Sequence, residues 1–212
     1  MRNRDLVIAS TAVVAVMLAA AAVLTPALPP GTLLPVHWDA SGTANGFAPA
    51  ATALLLVPAI TAVVVALVAL LPRFEPRLAA SPGLHRAMWA GTLLVLAAAG
   101  LAVIAAARGR NLPPGLHFAA LGVLLVLAGN QLGKSRPMRL IGIRTPWTLA
   151  NSDTWTATHR LGGRLMAAAG VLCLGFVAAG APPILAPWLV AAIVLSVVIP
   201  AAYSYIDWSR RR

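Results

Sequence analysis

The chain has few charged residues, very few acids and almost no cysteine. Of its 212 residues 10% are charged, and only five are Asp or Glu. A small soluble domain needs more charged groups than this to cover its surface, since 60% of the residues are hydrophobic and the mean hydropathy is +0.86. Cys173 is the single cysteine, which excludes an intramolecular disulfide and a zinc site built from cysteines. The composition indicates an integral membrane protein.

Six apolar windows without charge follow one another along the sequence. Four are long enough to cross a hydrocarbon core of roughly 30 Å at roughly 1.5 Å per residue, and the fourth and fifth need part of their flanks. All six are hydrophobic on every side, and the first is too long for a signal peptide. The predicted fold is an all-α bundle of six transmembrane helices, at residues 6–28, 50–71, 87–107, 116–131, 165–181 and 184–206.

The 16 Lys and Arg residues give a formal net charge of +11, which in a soluble protein would suggest nucleic-acid binding. In the six-helix topology fourteen of them fall on one side of the membrane, six of these between Lys134 and Arg164, while only Arg108 and Arg110 fall on the other. The positive-inside rule therefore predicts that both termini face the cytoplasm, and it explains the charge without a direct nucleic-acid partner. The apolar windows contain no charged residue, which argues against a pump or an ion-coupled transporter.

Small residues recur at helix-packing intervals inside these windows. Such residues let helix backbones approach closely where lipid supplies no hydrophobic driving force. We expect close helix contacts at Gly91, Gly100, Gly122, Gly129, Gly163, Ala167 and Gly170.

The predicted external loop, residues 29–49, is rich in Pro, Gly, Ser and Asn, which predicts turns. It contains His37, Trp38 and Asp39. A metal site would need a third or fourth ligand, for which His117 is the one further external candidate. The alternatives are hydrogen bonding within the loop with Trp38 as an interfacial anchor, or a surface that recognises an external ligand.

The predicted cytoplasmic segment, residues 129–163, is dense in Arg, Trp, Thr and Gly. Its apolar side chains, Met138 and Ile143 among them, are expected at the membrane surface beside cations that meet anionic headgroups. Ser152 is the predicted N-cap of a helix that continues into the fifth span. Trp155 and His159 share one face of that helix because they are four residues apart.

An enzyme would have few acid and base groups to use. Asp153 and His159 lie in the same segment and could act together in a membrane-embedded enzyme. The chain contains no catalytic motif such as G-x-S-x-G or H-E-x-x-H, so we expect no enzymatic activity and no cofactor.

Two sequence stretches resemble one known family. Residues 141–149, Ile-Gly-Ile-Arg-Thr-Pro-Trp-Thr-Leu, followed by Trp155 and Thr158-His159-Arg160, resemble the signature of the SdpI family of membrane immunity proteins. Gly129-Asn130 and Gly133-Lys134 fit the same pattern. Residues 34–38, Leu-Pro-Val-His-Trp, with Gly42, resemble the short N-terminal domain that often precedes this signature.

The resemblance implies a six-helix protein of the bacterial cytoplasmic membrane that protects the cell from a secreted peptide toxin. It also implies two further partners. One is the membrane lipid, and the other is a cytoplasmic transcriptional repressor that the protein holds at the membrane. A small transporter or flippase-like carrier is the alternative. The implied divisions are 1–72, a two-helix unit with the external loop, 73–115, the third helix, and 116–212, the SdpI-like helices.

The expected binding residues form an inner and an outer group. The inner group is Asn130, Lys134, Gly142, Arg144, Thr145, Pro146, Trp147, Trp155 and His159. The outer group is Pro35, His37, Trp38, Asp39 and Gly42.

Overall fold

A computed structural model of the chain describes residues 3–39, 42–113 and 115–211, so Arg2 and Arg212 of the predicted cytoplasmic cations lie outside the described residues. Seven α-helices are found in this part of the chain. They are α1 (Asn3–Leu24), α2 (Ala50–Phe74), α3 (Pro82–Ala107), α4 (Gly115–Leu132), α5 (Pro146–Ala150), α6 (Ser152–Ala178) and α7 (Ala186–Arg210). All except α5 are long and apolar enough to cross a membrane, which confirms the six predicted spans.

The long helices run up and down, so their connections gather at two ends of the bundle. We call these the hairpin end, with residues 25–39, 42–49, 108–113 and 179–185, and the loop end, with residues 75–81, 133–151 and 211. At the loop end, the connecting loop between α4 and α5, residues 133–145, has no regular secondary structure. The helices α1, α2 and α3 contact one another, α6 packs between α4 and α7, and α3 contacts α4.

A β-hairpin occupies the segment that the sequence predicts as turns. Strand β1 (Leu33–Trp38) pairs with β2 (Ala44–Pro49) in antiparallel register. The side chain of Leu34, 3% exposed, packs into a core with residues of α1, α2 and α3. The all-α prediction therefore omits one small element. The sequence hides it because Pro35 and Gly46 lie within the strands and are typical of loops.

Glycine pairs bring α4 and α6 into backbone contact. A Cβ atom on Gly129 would lie 2.6 Å from the carbonyl oxygen of Gly163, and one on Gly170 would lie 2.6 Å from the carbonyl oxygen of Gly122. In both helices the two glycines are seven residues apart, which is about two helical turns. The antiparallel helices thus meet along one glycine face, as the small-residue spacing predicts.

A proline in α2 leaves one backbone carbonyl without its helical hydrogen bond, and a side chain of α3 donates to that carbonyl instead. Pro72 lies inside α2 and has no N–H, so the carbonyl of Val68 lacks its usual partner in the helix. The Nε2 atom of His85, on α3, donates a hydrogen bond to this carbonyl at 2.8 Å. The indole N–H of Trp89 donates to Ser10 Oγ of α1 at 3.0 Å, so α3 has one polar contact to α2 and one to α1.

Candidate functional site

The connecting loop is held in place by a buried carboxylate from another part of the chain. Glu75, which directly follows α2, is only 3% exposed. Its Oε2 atom accepts hydrogen bonds from the backbone N–H groups of Arg139 at 2.6 Å and Leu140 at 2.9 Å. Backbone N–H groups of an irregular loop have no ladder or helix to satisfy them, so a buried acceptor fixes the loop by supplying that partner.

A second anchor comes from α6. The backbone N–H of Ile143 donates to His159 Nε2 at 2.9 Å, and His159 Nδ1 lies 2.8 Å from the carbonyl oxygen of Trp155. Because Nε2 accepts, Nδ1 carries the proton and donates, so the imidazole is neutral. The rings of Trp155 and His159 stack at 3.8 Å, and both side chains are fully buried. The Trp155 indole N–H donates to the carbonyl of Ser135, at the start of the loop, at 3.2 Å.

Trp155 and His159 share a face, as predicted, but this face is turned towards the protein. The connecting loop folds back over α6 and covers the Trp155 ring, which is therefore not exposed at the membrane surface. The same fold buries Met138 and Ile143, which pack in one cluster with Trp155 instead of reaching the membrane surface. Leu140 is 49% exposed and remains available there.

Gly142 is required where the loop crosses the two rings. Its φ angle is +111°, a region that glycine adopts without strain. A Cβ at this position would lie 2.5 Å from His159 Nε2 and 2.8 Å from Trp155 Cη2. Both the backbone angle and the ring contact therefore exclude a side chain.

The start of helix α5 is capped by its own threonines and packs against α7. The hydroxyl of Thr145 accepts from the backbone N–H of Thr148, and the hydroxyl of Thr148 accepts from the backbone N–H of Thr145, which forms a capping box with Pro146 at the first turn. Thr145 Oγ1 also lies 2.9 Å from Ser204 Oγ of α7. The Trp147 ring packs against Tyr205 of α7 at 5.0 Å.

The outward face of the loop is cationic and aromatic. The side chains of Arg139 and Arg144 are exposed, and Trp147 is half-buried. The guanidinium of Arg144 donates a hydrogen bond to the carbonyl of Arg139, which links two positions of the loop five residues apart. Arg144 thus has a structural contact and also presents its charge to the surroundings.

The N-cap of α6 is Asn151 and not Ser152. The Asn151 side-chain oxygen accepts from the backbone N–H groups of Asp153 at 2.8 Å and Thr154 at 3.0 Å. Both Asn and Ser are strong N-cap residues, and the extended backbone of Asn151 (φ −139°) decides between them. Asp153 is exposed and lies 3.8 Å from Arg211, so it does not approach His159 as a catalytic partner would.

Two residues of the predicted inner group lie elsewhere at the loop end. Asn130 and Lys134 line an open groove between α4 and α6, whose lining includes neither residues 138–147 nor Trp155 and His159. The predicted inner residues therefore fall into an anchored loop and this groove.

The outer group is divided between a cleft and the hairpin itself. Pro35, Trp38 and Gly42 line a cleft of about 370 Å³ together with Arg110 and His117. The Trp38 and His117 rings lie 4.9 Å apart. The cleft thus joins the hairpin to the start of α4 and offers aromatic rings and one cation to a ligand.

His37 and Asp39 hold the hairpin together. His37 Nδ1 donates to Asn45 Oδ1 across the strands at 2.5 Å. Asp39 Oδ1 accepts from the backbone N–H of Thr43 in the turn, where Gly42 has a φ angle of +81°. No group of three or more His, Cys, Asp or Glu side chains that could hold a metal ion occurs within residues 3–39, 42–113 and 115–211.

Sequence reasoning missed Glu75 and Thr148 as partners of the loop, and it missed the contact of Ser135, within the loop, with Trp155. Glu75 carries a weak signal, since it is one of only five acids and follows an apolar span. The sequence around Glu75 gives no sign that its side chain binds Arg139 and Leu140, which follow it by 64 and 65 positions.

Comparisons with known proteins match the two parts of the chain separately. Residues 134–205 match the model of the SdpI/YfhL protein family, and residues 12–62 match a domain of unknown function (DUF1648). Immunity protein SdpI of Bacillus subtilis (strain 168) is 31% identical over 51 residues, which are 24% of this chain and 25% of that protein. The match thus spans about a quarter of the length of the curated relative. No solved structure matches the chain.

Proposed function

We propose that this multi-pass membrane protein of the SdpI family protects its cell against a secreted peptide toxin. The observation that carries the proposal is the coincidence of the family match with the anchored loop. Residues 134–205 contain the loop, its glycine at position 142 and its α6 anchors, Trp155 and His159. The partial similarity to Immunity protein SdpI supports the same role.

The proposal assigns different partners to the two ends of the bundle. We place the hairpin end outside the cytoplasmic membrane and the loop end in the cytoplasm, following the distribution of Lys and Arg. The hairpin cleft, with Trp38, His117 and Arg110, then receives the toxin. The exposed Arg139, Arg144 and half-buried Trp147 form a surface on which a cytoplasmic repressor docks.

An anchored loop suits a docking surface better than a mobile one. Binding orders the groups that make contact, and a surface that is already ordered avoids this entropic cost. The bonds from Glu75 and His159 fix the backbone on either side of Gly142, so the exposed side chains of Arg139 and Arg144 extend from a fixed backbone. A docking partner therefore meets a preformed pattern of charge.

The two alternatives receive less support. In a membrane-embedded enzyme His159 would need a free ring nitrogen, yet Nε2 accepts from Ile143 and Nδ1 donates to Trp155. In a carrier for charged cargo we would expect ionisable groups along the middle of the helices. Glu75 and Asp207, the two buried carboxylates of the described chain, both lie at the loop end.

The test is survival of a toxin-sensitive bacterium that expresses the full chain. A panel of secreted peptide toxins is applied, including the one against which the B. subtilis relative protects. We expect survival to rise with the wild-type chain for at least one toxin. Arg144→Gln is expected to change protection or repressor release at an unchanged level of membrane insertion. Arg210→Gln, at the same end but outside the loop, is the matched control and should behave as the wild type.

A further inference from the structure

An open groove of about 480 Å³ lies between α4 and α6 at the loop end. Its size is within the range of about 300–1,000 Å³ that is typical of small-molecule sites. Gly129 and Gly163 form its floor, so that backbone instead of side chains faces the space. The groove exists because these glycines bring the two helices together at this level.

Three cations line the groove and no carboxylate does. They are Lys134, which follows α4, and Arg160 and Arg164, which share one face of α6 because they are four residues apart. None of the three has a carboxylate partner in the part of the chain that the structure describes. The C-terminal end of α4 contributes only about half a negative charge, which the three cations outweigh.

The depth of Arg164 favours a counter-charge in the groove. Helix α6 has 27 residues and is longer than the roughly 20 that cross a hydrocarbon core. When its last residue, Ala178, lies at the far boundary, the core reaches back to about the level of Arg160. Arg164 then lies one turn inside the boundary, where an unpaired charge is costly and an anion from the headgroup layer relieves the cost.

The other end of the groove is apolar. Val126 and Ala167 line it there, and one turn beyond Ala167 on α6 Val171 is 59% exposed. A ligand that fills the whole groove therefore needs a negative group at the loop end and hydrocarbon towards the middle of the bundle.

We propose that this groove binds one anionic phospholipid, with its phosphate among Lys134, Arg160 and Arg164 and its acyl chains along α4 and α6. Asn130, also in the lining, supplies an amide donor beside the phosphate. This inference does not depend on the immunity function, because it concerns a binding site on the outside of the bundle.

The test is native mass spectrometry of the purified full chain in detergent, titrated with phosphatidylglycerol or phosphatidylcholine. We expect a retained phosphatidylglycerol and a much weaker response to phosphatidylcholine. The triple variant Lys134→Gln, Arg160→Gln and Arg164→Gln should bind phosphatidylglycerol roughly a hundredfold more weakly, at roughly fivefold for each cation near an anionic surface. Ala167→Leu, which keeps the charges and fills the groove, should also weaken binding.

The matched control removes the same charge at the same end outside the groove, by Arg73→Gln, Arg136→Gln and Arg210→Gln. It should bind phosphatidylglycerol as the wild type does. Equal losses in the two triple variants, or equal binding of the two lipids, would contradict the proposal. Displacement of the lipid by millimolar glycerol 3-phosphate would also overturn it, because the groove would then bind a soluble phosphate without using its apolar end.

Discussion

Replacing Glu75 with alanine is expected to release the connecting loop. Two backbone N–H groups, those of Arg139 and Leu140, would lose a buried charged acceptor. Hydrogen bonds to a charged group are worth about 1.5–3 kcal/mol each, so the loop should be less stable by roughly 3–6 kcal/mol. Trypsin provides the measurement because the loop contains several Lys and Arg residues. Every loss of about 1.4 kcal/mol in loop stability raises the population of the open loop about tenfold. Cleavage between Lys134 and Arg144 should therefore accelerate by at least roughly a hundredfold.

Two variants separate this effect from a general loss of negative charge. Glu75→Gln keeps an acceptor oxygen and should fall between the wild type and Glu75→Ala. Asp153→Asn removes an exposed carboxylate at the same end, whose only described ion pair is the 3.8 Å contact with Arg211, and should leave cleavage unchanged. Equal cleavage of the wild type and Glu75→Ala would show that the loop does not depend on this carboxylate.

Gly163→Ala is expected to destabilise the bundle as a whole. The added Cβ would lie 2.5 Å from the carbonyl oxygen of Gly129, a backbone atom that can move only if α4 moves. Overpacking of this kind costs about 1–3 kcal/mol, although alanine in an open helix position is about 1 kcal/mol better than glycine. The midpoint of thermal unfolding in detergent, followed by tryptophan fluorescence, should therefore fall.

Helix α6 contains its own control for this experiment. A Cβ on Gly175 would have nothing within 4 Å, so Gly175→Ala should leave the midpoint unchanged or raise it. Gly170→Ala, with the carbonyl oxygen of Gly122 2.6 Å from the new Cβ, should lower it like Gly163→Ala. The same response at positions 163 and 175 would mean that α4 and α6 do not meet along their glycines.

The spans and the glycine contacts could be predicted because both depend on local sequence. The length of an apolar window sets whether a helix can cross the membrane, and seven-residue spacing sets which residues share a face. The predicted glycine contacts are therefore confirmed for α4 and α6. The helix predicted to continue from the 129–163 segment into the fifth span is confirmed as α6.

Whether the Trp155 and His159 face of α6 contacts lipid or protein could not be predicted in the same way. The sequence pairs Trp155 with His159, but only the loop that folds over them decides whether they meet lipid or protein. Its position depends on Glu75, 80 residues before Trp155 along the chain, so no window of local sequence contains the necessary contacts. The β-hairpin was missed for a related reason, because the pairing of β1 with β2 stabilises strands whose own composition favours turns.

Amide hydrogen exchange at the connecting loop tests most directly whether it is a preformed surface. NMR of the wild-type chain in detergent should show slow exchange at Arg139, Leu140 and Ile143, although the loop has no regular secondary structure. In His159→Ala the Ile143 amide should become fast while Arg139 and Leu140, held by Glu75, stay slow. Exchange of all three wild-type amides at the rate of an unstructured peptide would contradict an anchored loop, and with it the docking surface proposed for the loop end.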